Sequence, residues 1–180
     1  AFDPNQPRAP AGTGEGGQWT DGAAYKELPA GQHIRGESAY PTNEGYGRTE
    51  VASVLNRKLR AGEKLMGHEQ EIVKHLDRVM SQNKLDANYR FYHAGTIEQH
   101  LDKTNLGYLS VSSSADQAGA FKWRGKLSVI DVPKGTHFAV GDYHEREIIL
   151  PRGGVYQRVG NTAEGLPVIR FIENSASAKG

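Results

Sequence analysis

The chain has 180 residues, a formal net charge of +1 and no cysteine, which is room for one ordinary domain, alone or with an appendage. The near-neutral charge gives no sign of a nucleic-acid-binding surface, and the lack of cysteine excludes disulfides, thiolate metal sites and a cysteine nucleophile from this chain. No apolar run approaches the roughly 18–20 residues of a membrane span, so we expect no membrane partner.

Residues 1–47 differ from the rest in composition, since they hold five of the eight prolines and nine of the 22 glycines. Their sequence follows neither the period of a strand nor that of a helix, and it cannot bury much apolar surface. We expect an extended or disordered lead-in here, followed by a folded domain over residues 48–175 and a flexible tail over residues 176–180.

Two helices are predicted after the lead-in. Apolar residues at helical spacing begin after Thr49, a residue type that caps helices well, and Gly62 interrupts them. A second run of apolar residues at helical spacing extends from Leu65 to about Ser81. These two stripes indicate helices that pack against a core.

From residue 87 the pattern changes to short apolar runs of strand length, with two short helices among them. The strands are predicted over residues 87–93, 107–112, 126–133, 136–140, 146–151, 154–160 and 167–173, and the short helices over 96–101 and 114–121. Helices followed by many strands predict an α+β domain with a mostly antiparallel β core.

The segment YHEREIILPRG places Glu145 and Glu147 two residues apart at the start of an apolar strand. In an extended strand, residues i and i+2 point to the same face, so the sequence predicts two carboxylates side by side. Because like charges repel, a surface strand gains nothing from this arrangement. The pair therefore favours a catalytic site.

Two further stretches carry polar residues in apolar surroundings. Arg90 lies in the aromatic segment NYRFYHAG, and Ser110 and Ser112 lie in GYLSVSSSADQA. Taken alone, a strand arginine usually faces solvent, and a serine run usually forms a loop or caps a helix. Their order and spacing, together with the paired glutamates, are much more specific.

This Arg, Ser-x-Ser, Glu-x-Glu series resembles the mono-ADP-ribosyltransferases of the Arg–Ser–Glu type, which include the arginine-specific bacterial toxins. The resemblance covers about residues 49–173. It implies a catalytic domain over residues 48–175 with the ADP-ribosyltransferase fold, in which helices precede a mostly antiparallel two-sheet β core. The sequence departs from the family pattern at Val111, where Thr is usual, and at Phe91, where Gly commonly follows the arginine.

The resemblance implies NAD as co-substrate, and the histidines of the chain show no metal-ligand spacing. Glu147 then holds the 2′-hydroxyl of the nicotinamide ribose and stabilises the positive charge that develops as nicotinamide departs. Ser110 hydrogen-bonds Glu147, and Ser112 supports the strand or the nicotinamide pocket. Arg90 pairs with the phosphate oxygens, for which a guanidinium group is well suited.

Glu145 bears on the acceptor. Arginine-directed members of the family carry Glu at this position, whereas asparagine-directed members typically carry Gln. The resemblance therefore implies transfer to an arginine, whose guanidinium group Glu145 orients and deprotonates. The expected partner is a target protein that bears this arginine, and Tyr143 lies on the loop that meets it.

The segment AFKWRGKL lies where the family has a loop around nicotinamide and phosphate. Trp123 stacking on NAD and Arg124 reaching phosphate is one interpretation, and a surface turn is an equally good one. His93 in YHAGT weakly resembles the histidine of the diphtheria-toxin and poly-ADP-ribose branch. That branch lacks the serine and glutamate motifs, so we interpret His93 as a pocket-wall or core residue.

The lead-in sequence DPNQPRAPAGTGEGGQWT resembles segments that precede toxin modules in phage structural proteins and in bacterial polymorphic toxins. It implies an effector delivered by a virion or a secretion system into a bacterial cytoplasm, and it leaves room for an immunity protein as a second partner. The leading hypothesis is an NAD–protein-arginine ADP-ribosyltransferase, a glycosyltransferase. An NAD glycohydrolase on the same scaffold and a non-catalytic virion or interaction module are the alternatives.

Overall fold

A computed structural model of the chain describes residues 24–29, 31–39, 49–119 and 126–174. Trp123, Arg124, the predicted tail and most of the predicted lead-in lie outside the described residues. The expected domain boundaries at residues 48 and 175 therefore stay predictions.

Two helices, α1 (Thr49–Ala61) and α2 (Gly67–Gln82), precede the strands, as the apolar spacing predicts. Within the described ranges eight strands follow: β1 (Tyr89–Ala94), β2 (Thr104–Asn105), β3 (Leu109–Ser112), β4 (Leu127–Val132), β5 (Ala139–Val140), β6 (Glu147–Leu150), β7 (Gly154–Asn161) and β8 (Pro167–Ile172). A short helix, α3 (Ala115–Gly119), follows β3, and the predicted helix over residues 96–101 is a single 3₁₀ turn, Glu98–His100. Sequence periodicity missed β2, because two residues are too few to show a period.

The α+β class and the mostly antiparallel arrangement are confirmed, with one difference in the sheets. The strands form one hydrogen-bonded sheet in the order β2-β7-β8-β4-β1-β3-β6-β5, in which β4 and β8 run parallel and the other described neighbours run antiparallel. The two predicted sheets are joined because β1 pairs with β4 along its length and with β3 at one position, Tyr92 opposite Ser112. Ser112 is the last residue of β3, so the N-terminal part of β1 extends beyond this pair.

Both parts of this sheet bury one face in a common core. Phe91 and Val111 from the centre of the sheet pack with Ile148 from β6 and with Tyr156 and Phe171 from β7 and β8. These aromatic and aliphatic side chains are almost fully buried, and apolar burial of this kind is the main favourable term in folding. The shared core holds the two parts of the sheet in one fixed relation.

Helices α1 and α2 cover part of the opposite face. Leu55 and Leu76 pack with Ala139, Ile149 and Tyr108 in a second core. The Tyr108 hydroxyl donates a hydrogen bond to Asp77 of α2 at 2.6 Å. The helices therefore sit over β5, β6 and the start of β3. None of the helices in the described part of the chain is long and apolar enough to cross a membrane.

The two helices are tied together by Glu69 in the first turn of α2. Its Oε1 atom accepts a hydrogen bond from the Met66 backbone N–H at 2.9 Å and one from Lys58 Nζ of α1 at 2.7 Å. The Lys58 contact, followed by the Met66 N–H, lowers the pKa of Glu69 below its ordinary value. The charged carboxylate is thus preferred in the folded state, so this interaction adds stability while Glu69 is ionised.

The Glu69→Gln variant is expected to have a lower free energy of unfolding than the parent chain near neutral pH. Because the folded-state pKa is depressed, the difference is fully present above the ordinary pKa of a glutamate and shrinks as pH falls through the folded-state pKa. Urea unfolding at several pH values between 7 and 3 measures it. Glu71→Gln is the matched control, since its ion pair with Lys74 is largely exposed. A Glu69→Gln difference that stays constant over this range would contradict the assignment.

Candidate active site

One row of side chains crosses the sheet on the face that the helices only partly cover. In the β1–β3 and β3–β6 pairings, Tyr92 lies opposite Ser112, and Ser112 lies opposite Glu147. Directly opposite residues of antiparallel strands project from the same face. Tyr92, Ser112 and Glu147 therefore form one row across three strands.

Arg90 and Ser110 lie on the same face, on either side of this row. Arg90 is two residues before Tyr92 on β1, and Ser110 is two residues before Ser112 on β3. Residues two apart along a strand point to the same face. Arg90 is therefore separated from Glu147 by two strand spacings across the sheet and by two residues along β1. The structure thus brings the three predicted residue types, Arg, Ser and Glu, to one face of β1, β3 and β6.

Ser112, rather than Ser110, is the direct cross-strand partner of Glu147. Ser110 lies opposite Ile149, at the level where the second core begins. The Ser112 hydroxyl donates a hydrogen bond to the Glu145 carbonyl at 2.7 Å and accepts one from the Ser114 N–H at 3.0 Å. Ser112 therefore ties the loop before β6 to β3. The expected hydrogen bond from Ser110 to Glu147 stays a prediction.

The Glu147 carboxylate is oriented by the start of the loop that joins β5 and β6, residues 141–146. The Asp142 N–H donates to Glu147 Oε1 at 3.0 Å, and the Glu147 N–H donates to the Asp142 carbonyl at 2.9 Å. A Cβ atom at Gly141 would collide with the Glu147 carboxyl group, so a larger residue there would displace this side chain from its observed position. Sequence reasoning did not single out Asp142, although Gly-Asp after a strand is a recognisable turn signal.

Glu145 does not share a strand face with Glu147, which corrects the expectation drawn from their spacing. Strand β6 begins at Glu147, and Glu145 belongs to the preceding turn. Between them Arg146 has a left-handed backbone with φ of 51°, which ends the strand alternation. The Glu145 N–H donates to Asp142 Oδ1 at 3.0 Å. The catalytic role expected of Glu145 stays a prediction, without the strand geometry that first suggested it.

Arg90 forms an ion pair that the sequence analysis missed. Its Nε and Nη2 atoms donate to the two carboxylate oxygens of Asp131 on β4, at 2.8 and 3.0 Å, and Asp131 is 1% exposed. This bidentate geometry fixes the plane of the guanidinium group. An acidic residue in the apolar strand KLSVIDVP was the available signal, because a buried carboxylate requires a partner. The phosphate role expected of Arg90 stays a prediction.

His93 follows Tyr92 on β1, and its Nδ1 atom lies 2.7 Å from the Ser110 carbonyl oxygen. The ring is half-buried and contacts the backbone of β3. This position agrees with the interpretation of His93 as a wall or core residue. Within the described ranges, no group of three or more His, Asp and Glu side chains is placed to hold a metal ion.

A cavity of about 660 Å³ lies beside Glu147, within the size range of small-molecule sites. One wall is residues 31–36 of the N-terminal region, and the other is formed by Ser113, Val140, Asp142, Tyr143, Arg146, Glu147 and Ile148. The rings of His33 and Tyr143 stack with centroids 4.0 Å apart and planes 10° apart. The composition of residues 31–36 gave no sign that they would reach this site.

No protein-family model matches the chain, and no curated protein matches it significantly in sequence. Several solved structures are similar in fold. Plx2a, an ADP-ribosyltransferase toxin from Paenibacillus larvae, aligns with a TM-score of 0.56 and 19% identity over 71% of this chain and 82% of its own. C3stau2 from S. aureus, solved with NAD, aligns with a TM-score of 0.55 and 19% identity over 72% of this chain and 84% of its own.

Exoenzyme S from Pseudomonas aeruginosa, solved with human 14-3-3 protein beta and Carba-NAD, aligns with a TM-score of 0.55 and 17% identity. The alignment covers 73% of this chain and 70% of that one. Sequence identities this low are evidence for a shared fold and for nothing further. The chain therefore has the fold of the bacterial ADP-ribosyltransferase toxins, as the sequence predicts.

Proposed function

We propose that this protein is an NAD-dependent mono-ADP-ribosyltransferase that transfers ADP-ribose to an arginine of a target protein. The observation that carries the proposal is the row of Ser112 and Glu147 on one face of the sheet, with Arg90 on the same face and with Glu147 at the wall of a cavity. This arrangement occurs in a chain with the fold of ADP-ribosyltransferase toxins, so two independent lines support the same activity.

The residues around the cavity fit NAD as the co-substrate. The Glu147 carboxylate at the cavity wall offers an acceptor for a ribose hydroxyl. A volume of about 660 Å³ is large enough for a dinucleotide to enter at least in part. NAD supplies the ADP-ribosyl group when the bond between nicotinamide and ribose breaks.

Glu147 acts on the charge that appears at the ribose during this cleavage. A carboxylate held in place stabilises positive charge more in the transition state than in the bound substrate, which accelerates the reaction. The Asp142 N–H sets the direction of the carboxylate, and Ser112 holds the adjoining loop through the Glu145 carbonyl. Both contacts are made before substrate binds, so little reorganisation accompanies the reaction.

Glu145 supports arginine as the acceptor. A guanidinium group is permanently charged and is a poor nucleophile until a base orients it and takes a proton. Glu145 lies in the turn next to Glu147, and its backbone is held by Asp142 and Ser112. The loop thus fixes the backbone of Glu145 close to the carboxylate that acts on the ribose. Tyr143, 64% exposed on the same loop, is a contact point for the target protein.

The toxin interpretation also extends to delivery. Residues 3–20 resemble segments that precede toxin modules, and the similar folds belong to bacterial toxins and exoenzymes. We infer an effector that acts in a bacterial cytoplasm, with an immunity protein as a second partner.

Incubation of the full chain with labelled NAD and a bacterial lysate tests the activity. Transfer to arginine is supported if a protein becomes labelled and the label is released when the bond between ADP-ribose and arginine is cleaved. Free ADP-ribose without labelled protein indicates a glycohydrolase. No release of nicotinamide under any condition indicates a non-catalytic module and overturns the proposal.

Glu147→Gln is expected to lower the rate of nicotinamide release by about a hundredfold to a thousandfold, because the neutral amide cannot stabilise the developing charge. NAD affinity by calorimetry should change much less, since the amide still accepts a hydrogen bond. Glu164→Gln, an exposed change in the β7–β8 turn, serves as the control. Turnover by Glu147→Gln at the parent rate would mean that another carboxylate is catalytic.

Glu145→Gln is expected to separate the two half-reactions. Transfer to an arginine-like acceptor should fall by about a hundredfold, since general-base catalysis is worth that much, whereas NAD hydrolysis should persist. Agmatine modification and nicotinamide release, measured in the same reaction, give the ratio. If both rates fall together, Glu145 acts on NAD rather than on the acceptor.

A further inference from the structure

Residues 31–36, here called the strap, are held at both ends. Before the strap, the Lys26 N–H donates to the Asn88 carbonyl at 3.1 Å, and the Lys26 carbonyl accepts the Arg90 N–H at 2.9 Å. After the strap, the Ala39 N–H donates to the Val140 carbonyl at 2.8 Å. The chain therefore passes from the N-terminal part of β1, beyond the end of β3, to the edge strand β5, and the strap lies between these two contacts.

Two contacts fix how closely the strap lies against the body. Gly36 packs on the Phe138 ring so closely that a Cβ atom would lie 2.8 Å from Phe138 Cε2. His33 stacks on Tyr143 of the β5–β6 loop. Because one contact is at the end of the strap and the other is near its middle, the strap is a positioned wall of the cavity.

Two guanidinium groups line this cavity, Arg35 from the strap and Arg146 from the loop. Among the residues that the structure describes, no carboxylate forms an ion pair with either of them. Arg90, which the sequence analysis assigned to phosphate, is in contrast bound through two nitrogens to Asp131. Among the described residues that line the cavity, the cationic groups with capacity for an anion are therefore Arg35 of the strap and Arg146 of the loop.

The cavity also holds two carboxylates, and each has a backbone partner. Glu147 accepts the Asp142 N–H, and Asp142 Oδ1 accepts the Glu145 N–H. Cations and carboxylates thus line one cavity without neutralising one another. A ligand that carries hydroxyls beside phosphates matches this pattern, because carboxylates accept from hydroxyls and guanidinium groups donate to phosphate oxygens.

We propose that Arg35 of the strap and Arg146 of the β5–β6 loop form the phosphate-binding site for the dinucleotide, in the cavity where Glu147 accepts a ribose hydroxyl. The inference rests on the proposed function, because it assigns a part of the NAD site. It gives the N-terminal region a direct part in substrate binding, although its composition resembles a linker.

The test is calorimetric titration of the full-length chain with NAD, ADP-ribose and nicotinamide. Arg35→Gln and Arg146→Gln should each weaken binding of NAD and of ADP-ribose by about tenfold, the value of one exposed charge-assisted hydrogen bond. Binding of nicotinamide, which carries no phosphate, should not change. In turnover assays each variant should raise KM with little change in kcat.

Arg57→Gln is the control, since it removes an exposed arginine of α1 that pairs with Glu63 away from the cavity. Circular dichroism of each variant checks that the fold is retained. Unchanged NAD affinity in the Arg35→Gln, Arg146→Gln double variant, with turnover by the parent chain intact, overturns the phosphate site and leaves the proposed function standing. Loss of ADP-ribose binding in the double variant, with no turnover by the parent, supports the phosphate site and overturns the activity. A parent chain that binds neither dinucleotide overturns both.

Discussion

The register between β3 and β6 determines which face of the sheet carries Glu147. Side chains alternate along a strand, so a slip of one residue would move Glu147 into the apolar core and bring Ile148 out of it. Ile148 and Leu150 are buried on one face, and Ile149 is buried under the helices on the other. This double requirement permits one register, so the packing that stabilises the fold also presents the carboxylate.

The meeting of β1 and β3 at one residue pair has a second effect. Because Ser112, the last residue of β3, pairs with Tyr92, the part of β1 that contains Arg90 extends past the end of β3. The N-terminal region enters there, through Lys26 beside β1, and Tyr92 contacts Glu27 through its hydroxyl. The β5–β6 loop and the strap thus line the cavity beside Glu147.

Much of this architecture follows from local patterns. Apolar spacing identified both helices and all strands but β2, since buried faces impose periods of 3.6 and 2 on the sequence. The motif residues Arg90, Ser110 and Glu147 were found for a different reason, namely their order along the chain and their resemblance to a known series.

Features that depend on distant partners were not predictable in this way. The Arg90–Asp131 pair joins residues 41 positions apart, and no local period indicates it. The position of Glu145 depends on a left-handed residue that is not a glycine, and such residues have no strong sequence signal. The strap has few apolar residues. Its place is set by the backbone pairing of the residues that follow it with β5 and by the stacking of His33 on Tyr143. These features depend on contacts between residues far apart in the chain, which local sequence patterns do not reveal.

The backbone conformation of Arg146 sets thermal stability against the anion binding proposed for its side chain. A residue with a side chain in the left-handed region costs about 1 kcal/mol relative to glycine, so selection for heat resistance alone would favour glycine there. Such a replacement would relax the turn and delete a cation from the cavity wall. Laboratory selection for thermal stability is therefore expected to remove a cation of the proposed phosphate site, so a stabilised variant of this protein should retain Arg146.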